Sequence, residues 1–151
     1  MQQRIREDAS LALVREGNDQ ELATSFATIA GRTSEEPLEG IVLEACVQRG
    51  NQYILFLTDD IPFEDSLHIH LLDEDLNRVD TATLGAPYTT GHFHNLKCED
   101  SGEITFEFFG DCAWEVSVSP QRRLRLPFVS GPRGVSWQNG WFHVLELRAR
   151  K

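Results

Sequence analysis

The sequence predicts a mainly β fold, an antiparallel sandwich or open barrel of about eight or nine strands. One or two N-terminal α-helices are expected to precede it. Three observations carry this. From Leu38 onward, apolar and polar residues alternate in short runs, the period of a half-buried strand. Gly110-Asp111 and Asn139-Gly140 stand between such runs as two-residue hairpin signals, which demand antiparallel neighbours. Before residue 37 the apolar spacing is helical instead.

The elements follow in order. A first helix is expected over residues 3–16, with Ile5, Ala9, Ala12 and Leu13 inward and Gly17 ending it. Asn18 and Glu21 have the spacing of an N-cap and its returning acid. Leu22, Phe26, Ile29 and Ala30 then share one helical face, and Gly31 is a natural stop. Arg32 to Pro37 reads as a linker. The expected organisation is thus a helical segment, 1–36, and an antiparallel β domain, 37–151, forming one structural unit.

In the β region Ile41, Leu43, Ala45 and Val47 alternate with Val42, Glu44 and Cys46. Gly50-Asn51 separates them from Tyr53 to Leu57, which is apolar enough for a central strand. Leu67, Ile69 and Leu71 make the next stripe, Asp73 to Asn77 a turn, and Val79 to Leu84 a further strand. Phe93 and Leu96 are a weaker pair. Ile104, Phe106 and Phe108 alternate cleanly, as do Trp114, Val116 and Val118. The last hairpin joins Val135–Gln138 to Trp141–Arg148.

The 151 residues suit one core, and 40% hydrophobic with 25% charged residues is an ordinary globular composition. The net charge of −10 disfavours general nucleic-acid or anionic-membrane binding. Residues 1–120 carry 23 acidic and 7 basic side chains, and residues 121–151 carry 1 acidic and 7 basic. Cys46, Cys98 and Cys112 are too few, too far apart and odd in number for a disulfide framework. With no apolar leader at the N-terminus, a cytoplasmic setting is the expectation.

Two His-x-His pairs are the local patterns that could carry chemistry: His68 with His70, and His92 with His94. Side chains two apart on a strand share a face, so each pair can present two imidazoles, and neighbouring strands could gather four around a transition metal. The plain alternative is that His68 and His70 occupy the polar face opposite Leu67, Ile69 and Leu71. His92 and His94 would likewise oppose Phe93.

His92-x-His94, four residues and Glu99 together resemble the first motif of the cupin family, whose β-barrels often bind a metal. Gly85 lies one residue before the place of the motif's glycine, which Ala86 fills. The resemblance implies one transition-metal ion, Zn, Fe, Ni or Cu, held by His92, His94, Glu99 and His143. The span is short, and the family is not assigned on it. Other signatures are missing: GxSxG, Walker A, GxGxxG and HExxH do not occur. Asp73-x-Asp75-x-Asn77 begins like a calcium loop, but Arg78 and Leu84 stand where Gly and Glu are needed.

Asp59, Asp60, Glu64 and Asp65 surround Ile61, Pro62 and Phe63. In such a loop the apolar residues Ile61 and Phe63 can anchor a partner while the acids steer it. The expected function is therefore a non-enzymatic protein-binding module engaging a basic protein, as an inhibitor or immunity protein does. No cofactor is expected on that reading. The alternative is a metal-binding β-barrel, cupin-like and metal-dependent in its chemistry. Homo-oligomer formation would use the N-terminal helices.

Overall fold

The computed structural model describes residues 3–18, 20–61, 65–85, 91–109, 113–124, 135–137 and 142–150. Among them lie fourteen strands and no helix: β1 (Gln3–Ile5), β2 (Ser10–Arg15), β3 (Thr24–Ile29), β4 (Arg32–Thr33), β5 (Leu38–Glu39), β6 (Val42–Arg49), β7 (Gln52–Thr58), β8 (Leu67–Leu72), β9 (Arg78–Leu84), β10 (His94–Cys98), β11 (Ile104–Glu107), β12 (Ala113–Leu124), β13 (Val135–Trp137) and β14 (Phe142–Arg150). All pairings are antiparallel. Three sheets result, ordered β1-β6-β7-β8-β9-β13, β10-β11-β12-β14 and β2-β3-β4, with β5 also on β3.

The expected N-terminal helices are replaced by strands. In β3, Ser25, Ala27 and Ile29 are buried while Thr24, Phe26 and Thr28 are half-buried, a period of two that burial of small residues against a sheet enforces. The 4-and-3 spacing of Leu22, Phe26 and Ile29 is coincidental to that packing. Asn18 does cap, but it caps a hairpin loop: its Oδ1 accepts from the amides of Gln20 at 2.8 Å and Glu21 at 2.9 Å. Ala30 and Gly31 have φ of 52° and 79° between paired Ile29 and Arg32. That is the left-handed pair of a type I′ turn, where a helix stop was expected. Arg32 and Thr33 belong to β4 rather than to a linker, and β5 carries the N-terminal sheet past residue 36.

The six-stranded sheet has a core on each face, a sandwich-like arrangement. On one face Ile54, Phe56, Leu67, Ile69, Leu71 and Leu84 meet Ile104, Phe106, Trp114, Val116, Leu145 and Leu147 of the β10–β14 sheet. Phe56, Phe93 and Phe106 cluster there with centroids 5.0–5.5 Å apart, Phe93 stacked on Phe106 and Phe56 edge-on to Phe106. On the other face Cys46, Leu55, Leu57, Leu72 and Leu76 meet Ala27, Ile29 and Leu38 of the N-terminal sheet. The expected alternation of β6 is broken at Glu44. Its register shifts between Leu43 and Ala45, so Leu43 packs with the second core and Ala45 with the first. A bulge of this kind reverses which face later residues take.

Gly40 closes the second core. Its φ is 114°, and a Cβ there would lie 2.5 Å from the Leu57 Cβ. Only glycine meets both demands.

Candidate functional site: a buried histidine layer beside an acidic groove

The central sheet places His68 and His70 under the N-terminal strands. Their neighbours across β7 are Leu57 and Leu55, and across β9 Thr83 and Thr81. All six residues of β8 are buried, so the expected solvent-facing polar side does not exist for this strand. Each imidazole is satisfied at both nitrogens, as buried polar groups require. His68 Nε2 faces both carboxylate oxygens of Asp59 at 3.0 and 2.9 Å, and Nδ1 meets Thr83 Oγ1 at 3.1 Å. His70 Nδ1 meets Thr81 Oγ1 at 2.8 Å, and Nε2 meets the Glu39 carbonyl at 2.9 Å. The carbonyl can only accept, so the His70 proton sits on Nε2 and the threonine hydroxyl donates to Nδ1. The rings are near-parallel, 6.3 Å apart. Burial pushes the His70 pKa down to about 4, against a raising influence of the Glu39 carbonyl and a further lowering by His68.

Asp59 joins this layer to the surface. Its amide donates to Asp65 Oδ1 at 2.8 Å, which closes the loop after β7. Asp60 then takes φ of 58° and turns Ile61 outward. Asp60 and Ile61 are exposed, Asp65 is half-buried, and Asp59 is buried. Phe63 and Glu64 lie outside the described residues. Thus Asp59 departs from the solvated loop acid that the sequence suggests.

Beside Asp59 is a groove of about 480 Å³, between the β2–β3 loop and the loop after β7. Leu13, Leu22, Ala23, Ile41 and Ile61 give it an apolar lining, and Glu16, Glu21 and Asp59 give it acid. Leu13, Leu22 and Ile61 are 54%, 43% and 43% exposed. Glu21 pairs with Arg15 at 3.3 Å, and the same guanidinium donates to the Leu22 carbonyl at 3.1 Å. These contacts brace the β2–β3 loop that forms one wall. Of the loop residues singled out in the sequence, Asp59 and Ile61 line this groove and Asp60 does not; Leu13, Glu16, Glu21 and Leu22, which the sequence pattern placed on helices, also line it.

The two His-x-His pairs occupy different sheets and do not gather. His92 and His94 are exposed at the start of β10. The His92 amide donates to the Phe108 carbonyl, and His94 Nε2 lies 3.8 Å from Glu107. Glu99 is exposed in the turn after β10, its amide bonded to the Glu103 carbonyl. His143 is on β14, paired in register with Arg123. Among the described residues no group of three or more His, Cys, Asp or Glu side chains is arranged to hold a metal ion. A metal at His68 and His70 would have to displace their present partners.

Asp59, His68 and Thr83 form an acid–imidazole–hydroxyl chain, the order used to activate a nucleophile. Asp59 lines the groove, but neither His68 nor Thr83 does. His68 and Thr83 hydrogen-bond behind Asp59 and hold its carboxylate in place. Cys46 and Cys98 are free thiols. Burial raises both, Cys46 to about 12, which keeps them protonated and poorly nucleophilic.

Comparison with protein-family models, curated proteins and solved structures finds no match to this chain.

Proposed function

We propose that this chain is a non-enzymatic protein-binding module that engages a basic partner at the groove beside Asp59. The carrying observation is the coincidence of apolar exposure and acid. Three large apolar side chains that remain exposed, Leu13, Leu22 and Ile61, converge on one groove with Glu16 and Glu21 at its rim. Apolar anchors supply affinity, and surrounding acids speed and orient the encounter with a cationic surface. The net charge of −10 adds a long-range attraction of the same sign preference. An inhibitor or immunity-type role is the specific form that fits such a surface. The setting proposed for it is cytoplasmic.

The test compares the wild-type chain with an Ile61→Lys/Leu22→Lys variant as immobilised bait at low salt. The expected result is a single basic protein held by the wild type, released by salt, and not held by the variant. Retention of no specific protein, or retention unchanged by the double substitution, would overturn the reading. Both substitutions are at exposed positions, so unchanged thermal unfolding confirms that only the surface was altered.

A further inference from the structure

We infer that the basic partner docks as an added β-strand on the open edge of β2, next to the groove, an inference that rests on the groove being the binding surface. Sheet edges expose unpaired amides and carbonyls. Proteins blunt them with short strands, charges, proline or a covering group. The other described edges are blunted in these ways. β1 and β13 have three residues each, and β4 and β5 two. β10 carries Lys97 and a register shift. On β14 the amides of Val144 and Leu145 donate to the buried Asp80 at 2.7 and 2.9 Å.

β2 is different. It is six residues long, lies at the end of its sheet and, among the described residues, pairs with β3 alone; its one charge, Arg15, and its register shift, between Leu13 and Arg15, are both confined to its C-terminal end. The run Ser10-Leu11-Ala12-Leu13-Val14 contains no charge and no proline. Leu13 and Val14 are 54% and 44% exposed. The uncharged, regular stretch Ser10–Leu13 of this edge invites pairing with another chain, and a strand added there would gain backbone hydrogen bonds as well as side-chain contact. Because Leu13 also lines the groove, one extended segment can satisfy the edge and fill the groove together.

Charge selects the occupant. Glu7 precedes β2 and Glu16 follows it, while Asp8 is already paired with Arg6. A second copy would set the same acids, and another −10, beside them. A segment alternating basic and apolar residues would lay its apolar side chains over Leu13 on the groove face and bring its bases near the acids.

The experiment titrates the full-length chain with a short peptide of alternating lysine and valine and follows amide hydrogen exchange by NMR. In an added antiparallel strand, alternate residues of β2 donate outward. Alternate amides within Ser10–Arg15 should therefore slow by at least about tenfold at saturation. Saturable binding that is lost in Ile61→Lys but leaves β2 exchange unchanged would overturn strand addition and keep the groove. No saturable binding at low salt would overturn both. Slowing of the same amides by raised protein concentration alone, with a doubled mass, would make a second copy the occupant and overturn the basic partner.

Discussion

His70 ties the stability of this fold to pH in a calculable way. Its pKa is about 4 in the folded chain against an ordinary value of 6.5, chiefly because burial disfavours the imidazolium. At pH 7 the ring is neutral in both states and no penalty arises. As pH falls through 6.5 the unfolded chain takes up a proton that the folded chain refuses, so stability drops. The loss continues to about pH 4 and amounts to about 3 kcal/mol. The groups facing the ring are Glu39, Thr81, His68 and Arg78. To isolate the effect, urea unfolding of the wild type and His70→Gln is measured from pH 7 to pH 4. At pH 7 the variant should be less stable by roughly 1–3 kcal/mol, since the amide's acceptor and donor do not reproduce the positions of the two ring nitrogens that meet Thr81 and the Glu39 carbonyl. Toward pH 4 the wild type loses its advantage and the two curves converge or cross. Contributions from the remaining carboxylates cancel in the difference to first order. A stability difference that stays constant to within about 0.5 kcal/mol across this range would refute the reasoning.

Other perturbations test the same architecture. Asp59→Asn should cost roughly 2 kcal/mol in denaturant unfolding, because one of the two oxygens facing His68 Nε2 is replaced by an amide nitrogen; no measurable loss would mean that the pair is not formed. Gly40→Ala combines φ of 114° with a Cβ 2.5 Å from that of Leu57, so a loss of roughly 2–3 kcal/mol is expected in the same assay. Deleting residues 1–40 uncovers Leu55, Leu57 and Leu72 and removes the Glu39 carbonyl from His70; the remnant should bind ANS and lose its cooperative transition. Thiol titration at pH 8 with peptide mapping should leave Cys46 unmodified until unfolding, since it is 1% exposed and its pKa is raised to about 12.

Most of the β body was legible because its signals are local; the exception is the hairpin expected at Asn139-Gly140, since β13 pairs with β9 and β14 with β12, in different sheets. Alternation in Leu67–Leu71 and Ile104–Phe108 reports faces directly, and Gly50-Asn51 joins paired Arg49 and Gln52 as its turn chemistry suggests. The N-terminal strands were not legible. Asn18 and Glu21 satisfy loop amides with the same spacing that would cap a helix, and Ser25 and Ala27 are too small to register as an inward stripe. The histidine layer was partly within reach. Leu55 and Leu57 alternate with Ile54 and Phe56, so both faces of β7 needed cover. Any strand paired with it would share that cover, and His68 and His70 fall on it. The missing step was the identity of the cover, which comes from residues far away in sequence.

The same cover connects the buried layer to the surface. Strands β2–β5 shut water out from His68 and His70, and in doing so they bring Leu13 and Leu22 beside Ile61. Asp59 is the shared part: its carboxylate is fixed by His68 inside, and its amide is fixed by Asp65 outside. A buried pair adds little net stability over an apolar core, yet breaking one member is costly. Its use here is positional. The pair sets where the loop after β7 leaves the sheet and hence where Ile61 stands. Mutating Asp59 should then alter binding through the position of Ile61 as well as stability. Asp60→Asn, which removes an exposed charge of the same loop, should change only the salt dependence of the encounter. Equal effects of the two substitutions on the rate of partner release would refute a positioning role for Asp59.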